Sequence, residues 1–320
     1  MAESRLKLLR PDGRSNQDLR QLCISFPGLA RVDGSAYFSF GGSPALSLAS
    51  TGANSGSLHK TATTNQTATS AIASLTGPAE VRLASEHPSQ LTFEVLLRPF
   101  CGVPATESKA LAANVRHILG TSLIWGANPR TLVQMVVQVL GSSWAADVKR
   151  GIVGDAVMAT AVNAGMLALM NAGSVPLTGV VCAVAVGRQS DGVLLLDPGE
   201  DEEGDLSATG CFAFIFSSFW GPEGAVGRCV WTNWRAIGKG RFDGQVLREA
   251  REIARRAAGE VYTEMKNVIE DTAERPAVEE KPVRKGKGRD MTETIDPPVQ
   301  PDSDDNAQED EDEDDNKMEI

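Results

Sequence analysis

Carboxylates crowd one short segment of this chain: Asp201, Glu202, Glu203 and Asp205. Groups so close could hold magnesium or provide a general acid. A solvated turn is the plainer reading of such a charge run. Lys149 and Arg150 stand side by side in SSWAADVKRG. They could clamp a phosphate, or simply form a basic pair on the surface. Two other stretches offer nothing of the kind. From Gly151 to Gly187 there is no Lys or Arg, and from Leu206 to Pro222 no Asp or Glu. The histidines, His59, His87 and His117, are scattered, with neither a triad nor a metal-ligand spacing.

The elements that must position these residues read as α+β, without a regular βαβ alternation. Short strands are expected at Leu22–Ser25, Ala36–Phe40, Ile72–Leu75, Glu80–Ala84 and Leu91–Leu97. Ser47 to Ser70 is rich in Ser, Thr, Gly, Ala and Asn, and reads as a disordered or mobile insertion between paired strands. A helix over Glu107–Leu123 puts Leu111, Val115, Ile118 and Leu119 on one face. TLVQMVVQVL, Thr131 to Leu140, predicts a buried central strand. A second helix starts with Asp155 as N-cap and ends at Gly173, its many Ala and Gly residues allowing close packing on a sheet. Further strands are expected at Gly179–Val186, Val193–Leu196, Ala208–Phe216 and Val226–Trp231. The last helix begins at an Asp243 N-cap and carries Leu247, Ala250, Ala254, Ala257, Val261 and Met265 at helical spacing.

Composition narrows the class. The net charge of −11 comes almost wholly from the last 49 residues, with about 17 acids against 7 bases. The body is near neutral, which argues against a free-standing RNA-binding protein. After Asp271 the chain turns Pro-rich and charged, and reads as a disordered acidic tail over 272–320 following one domain over 1–271. Within it, KPVRKGKGR, Lys281 to Arg289, reads equally as an import signal, a phosphate contact or a linker. Five cysteines without a CxxC pair suit a reducing compartment, with Cys101, Cys182 and Cys211 as small core residues. No apolar run is long enough to span a membrane, and MAESRLKLLRPDGR is too charged for a secretory signal.

PDGRSNQDLR (Pro11 to Arg20) and ARVDGSAYFSFG (Ala30 to Gly41) resemble the opening of RNase PH-family proteins. TGPAEVRL, LTFEVLLRPFCGVP, NAGMLALMNAGSVPLTGVVCAVAVG and the LLLD turn ending at Asp197 narrow the resemblance to non-catalytic ring subunits of the eukaryotic RNA exosome. It spans about Arg10 to Asp271. The resemblance implies an RNase PH-like fold of two βα halves in layered mixed sheets and helices. It also implies partners: other RNase PH-like exosome subunits, S1/KH-type cap subunits, a hydrolytic nuclease subunit, and RNA passing through the ring. No cofactor, metal or membrane partner is implied. The expected location is nucleus, nucleolus and cytoplasm, and the expected role is support of RNA processing and degradation, including that of rRNA.

Active relatives carry a Gly-Gly-Thr-Arg-Thr-Ala type turn where the second helix begins, its amides and arginine holding phosphate. Counting back from Asn171–Gly173 sets that arginine at or near Met158, in GDAVMATA. Asp155 would bring a negative charge to the anion site, unless it serves only as N-cap. The family's general acid falls at Thr209 or Gly210. No catalytic residue is therefore expected. Arg98 and Arg116 lie near the family's RNA path and are the candidate RNA contacts, with interface or surface roles as their plainer reading. The aromatics Phe212 to Trp220 and Trp231 to Trp234 read as core or subunit contact. The competing reading is a phosphate-dependent 3′-to-5′ exoribonuclease. It needs Lys149 or Arg150 to replace the arginine, and Asp201, Glu203 or Asp205 to replace the acid.

Overall fold

The computed structural model describes residue 10 and residues 12–41, 68–100, 102–140, 154–218, 226–237 and 242–274, all inside one compact unit, Met1–Arg275. The insertion up to residue 67, His59, Cys101, Lys149, Arg150, the basic run and the tail from residue 275 on lie outside the described residues, while Thr272–Glu274, expected in the tail, end the last helix.

The first sheet holds β1 (Leu22–Ser25), β2 (Gly34–Phe40), β3 (Thr69–Glu80), β4 (Thr92–Arg98) and β5 (Thr131–Val139), in the order β1-β2-β3-β5-β4. β4 and β5 run parallel, joined through helix α1 (Thr106–Gly120), and the other pairs are antiparallel. The second sheet holds β6 (Val180–Gln189), β7 (Leu194–Leu196), β8 (Leu206–Phe216), β9 (Arg228–Thr232) and β10 (Arg235–Ala236), ordered β10-β8-β6-β7 with β9 on β8. Helix α2 (Asp155–Ala172) packs on β2 and β3 of one sheet and on β6 and β8 of the other. Helix α3 (Gly244–Glu274) also packs on β6 and β8. These are the two βα halves of the RNase PH-like fold expected from the sequence.

This layering explains part of the missing charge. Every residue from Asp155 to Leu169 is buried, and so are Val181 to Gly187. A Lys or Arg in those layers would strand an unpaired cation in apolar surroundings. Only the first turn of α2 bears on chemistry.

Several expectations change in detail. β3 does not stop at Leu75 but runs through Gly77–Pro78 to Glu80, and the separate strand expected over Glu80–Ala84 is absent beyond Glu80, with Leu83–Ser85 forming a 3-10 turn. Thr69 and Ser70, expected in the insertion, are the first residues of β3, which pairs with β2. β5 lies inside the sheet, but only one face is fully covered: Val133, Met135, Val137 and Val139 are buried, while Leu132, Gln134, Val136 and Gln138 are half-buried. α1 stops at Gly120, three residues short of the expected end. Asp243 does cap α3, its carboxylate accepting from the Gln245 amide at 2.8 Å. No described helix is long and apolar enough to cross a membrane.

Candidate nucleic-acid interface

A phosphate site at the start of α2 needs free amides and a cation. Gly154 caps the helix and Asp155 is its first residue, which corrects the N-cap expectation for Asp155. Its Oδ1 instead accepts from Asn233 Nδ2 and Arg235 Nη1, each at 3.0 Å. Asn233 is itself tied to β8, its Oδ1 accepting from the Cys211 amide at 2.5 Å. A bound carboxylate thus sits at the helix N-terminus, paired with the cation an incoming phosphate would need. Met158 is buried, its Sδ 3.9 Å from Asn233 Nδ2. On β8, a Cβ at Gly210 would stand 2.8 Å from Trp234 Cα, so no acidic side chain fits there. Thr209 is buried beside Asp155.

Burial raises the Asp155 carboxyl above its ordinary value of 3.8, and Arg235, Asn233 and Thr209 offset only part of that rise. The protonated form therefore favours the fold. Its contribution is complete below pH 3.8 and is lost as pH rises through the elevated value. Asp155→Asn carries no such titration. Denaturant unfolding of both proteins across acid to neutral pH should show the variant gaining on the wild type as pH rises. A constant difference would mean the carboxyl is not perturbed.

The acidic turn is not the fully solvated run expected. Asp201 and Asp205 are exposed, but Glu202 is buried and pairs with Arg10. Arg10 also donates to the carbonyls of Leu196 and Asp197, at 2.7 and 3.0 Å. Arg20 grips Asp197 through two parallel bonds, at 2.6 and 2.7 Å. The N-terminal arm is thus latched to the β7–β8 turn. Burial pushes the Glu202 carboxyl up, but hydrogen bonds from Arg10 and the Gly199 amide, with the Arg10 and Arg14 charges, hold it below its ordinary value. Spent on a cation in this way, Glu202 is not available as an acid or metal ligand. Among the described residues no His, Cys, Asp and Glu cluster could hold a metal.

Three exposed cations gather elsewhere. β4 is the edge strand of its sheet, and α1 runs beside it. A groove of about 700 Å³ lies between them, lined by Arg98, Lys109 and Arg116 with Glu94. Ala112, Ala113 and Ser108 of α1 also line it. Arg116 Nε donates to the Phe93 carbonyl at 2.6 Å, which anchors its stem on β4. Such a groove can hold a phosphate backbone by charge, without reading sequence.

The chain matches the model of the 3′ exoribonuclease family, domain 1 (RNase PH), over residues 18–174. The chain contains an RNase PH domain. It is 29% identical to the exosome complex component rrp46 of Schizosaccharomyces pombe over 113 residues, 35% of this chain and 45% of that protein. It is 30% identical to the exosome complex component RRP46 of Saccharomyces cerevisiae over 131 residues, 41% of this chain and 56% of that protein. These matches span about half the length of the curated relatives. The fold is that of rice (Oryza sativa) Rrp46, with a TM-score of 0.60 at 20% identity, covering 81% of this chain and 100% of the rice chain.

Within this RNase PH domain, the two predicted RNA contacts, Arg98 and Arg116, line one groove although they come from different elements. Lys109 joins them and was missed; its only sequence signal is its place on the exposed side of α1. His117 lies edge-on to Trp231, and His87 belongs to a neighbouring cavity. Cys182 and Cys211 are buried core residues, and burial pushes both thiols up. Asn233 and Arg235, which close the α2 site, carry no local signal, because their partner lies about 80 residues upstream.

Proposed function

We propose that this chain is a non-catalytic ring subunit of the RNA exosome, supporting 3′-to-5′ RNA processing and degradation, rRNA included. It would work in the nucleus, nucleolus and cytoplasm. The carrying observation is the α2 N-terminus, where Asp155, Asn233 and Arg235 fill the seat of a phosphate and β8 has no room for an acid at Gly210. Its similarity to the Rrp46 proteins supports membership of the exosome. Partners would be other RNase PH-like subunits, S1/KH-type cap subunits and a hydrolytic nuclease. The outer face of the first sheet supports assembly, since Tyr37, Ile72 and Val136 lie together on it, only half-buried, with no covering helix among the described residues.

The test is an exonuclease assay on the purified chain with single-stranded RNA, with and without inorganic phosphate. No product in either condition is expected. Nucleoside diphosphates released only with phosphate, and lost on Lys149→Ala with Arg150→Ala, would show the phosphorolytic enzyme instead. The RNA track has its own test. Arg98→Ala with Arg116→Ala should weaken single-stranded RNA binding and lower the slope of log affinity on log salt by about 0.7 for each phosphate that is no longer neutralised.

A further inference from the structure

The basic groove does not end at Arg116. A second cavity, of about 320 Å³, opens beside the start of β4 and is lined by His87, Gln90, Leu91, Thr92, Arg116 and Trp125. Thr92 and Arg116 line both cavities, so the two adjoin at these residues.

Trp125 is the distinctive member. Its indole Nε1 donates to the Gly120 carbonyl at 3.0 Å. The ring lies so close to the end of α1 that a Cβ at Gly120 would be 2.9 Å from its Cζ2. Its own carbonyl accepts from the Leu91 amide at 2.9 Å. The ring is therefore fastened to the protein and packed against the core, while the residue stays only partly buried and lines the cavity. A fixed aromatic surface loses little freedom when something stacks on it. Aromatic surfaces beside a cationic groove hold single strands, because every base has a π-face. Gln90 adds an amide that can both donate to and accept from a base edge.

We propose that this cavity is a nucleobase subsite, where one base of single-stranded RNA stacks on Trp125 while a neighbouring phosphate meets Arg116. The inference rests on the reading of the Arg98–Lys109–Arg116 groove as an RNA track and extends that track past the start of β4. A peptide strand added to the open edge of β4 would fill the longer groove but has no need of an aromatic platform beyond the strand.

The experiment measures binding of the full chain to a set of short oligoadenylates, each with one abasic residue, at fixed salt. Trp125→Leu should weaken binding of the intact oligomer about 5- to 150-fold, the range of one stacked base. Trp125→Phe, which keeps a ring on Gly120, should lose much less. In the wild type, one abasic position should cost a similar factor, and in Trp125→Leu that position should cost almost nothing more. A structural role alone would not produce this coupling. If the abasic residue weakens both proteins equally at every position, the subsite is wrong. In that case a continuing loss with Arg98→Ala and Lys109→Ala, with a lower salt slope, keeps the RNA track. If those basic variants also bind as the wild type does, both readings fall.

Discussion

Asp197→Asn should lower the unfolding free energy by about 3–5 kcal/mol, the cost of breaking a buried ion pair by removing one partner. Asp197 and Arg20 are each about 1% exposed at their side chains, so solvent cannot take over the lost interaction. Asparagine keeps the size of the side chain. It also tolerates the left-handed backbone that Asp197 adopts at φ +46, so the change isolates the charge. What remains is a buried Arg20 cation facing a neutral amide, with the Thr69 hydroxyl still at 3.2 Å. Urea unfolding monitored by fluorescence reads the change directly. Asp201→Asn, at an exposed position of the same turn, should stay within about 0.5 kcal/mol of the wild type. A loss below about 1 kcal/mol for Asp197→Asn would mean that the latch contributes little.

The latch is also acid-sensitive. Burial pushes the Asp12 carboxyl up, but Arg14 and the nearby Arg10 charge hold it below its ordinary value, and Glu202 is held down likewise. Depressed carboxyls stabilise the fold above their ordinary values of 3.8 and 4.5. That contribution is lost as pH falls through the depressed values. Acid should therefore loosen the arm.

Gly34→Ala is expected to cost about 3 kcal/mol, at the upper end of overpacking in a core. A Cβ there would lie 2.5 Å from the Ala168 carbonyl oxygen and 2.6 Å from both the amide nitrogen and the Cβ of Ala172. Most of what it meets is backbone, so no side chain can turn away. The helix cannot retreat either, because the second sheet backs α2. β2 is also held, since Gly34 opens the strand paired with Leu75 of β3. Gly259→Ala makes the contrast. It lies in α3 with nothing within 4 Å of its Cβ, and should stabilise by about 0.5–1 kcal/mol through helix propensity. Equal effects at the two sites would remove close packing of α2 on β2 as the explanation.

Much of the scaffold was legible from local pattern. α3 and its Asp243 cap, the Gly173 stop, β1 and the strong β5 follow from periodicity and capping chemistry that act within a few residues. The Ala- and Gly-rich α2 also announced close packing. Less legible was β3, because Gly77–Pro78 reads as a break when seen alone, whereas pairing with β5 resumes beyond it at Ala79–Leu132. Asp155 looked like an N-cap because its residue type favours that role, and nothing nearby in the chain betrays Arg235.

The sequence by itself determined the RNase PH-like fold, most of its elements and the lack of a cation in the first turn of α2, because residue type and short-range spacing carry those. Only the tertiary structure decided which charges matter. In the chain, Glu202 and Asp201 are adjacent acids in one turn. Folding buries one against Arg10, 192 positions away, and leaves the other in water. The same holds for the groove, where Arg98, Lys109 and Arg116 meet only because β4 is an edge strand with α1 beside it. Burial and long-range pairing set the electrostatic worth of a side chain, and neither is written in its neighbours.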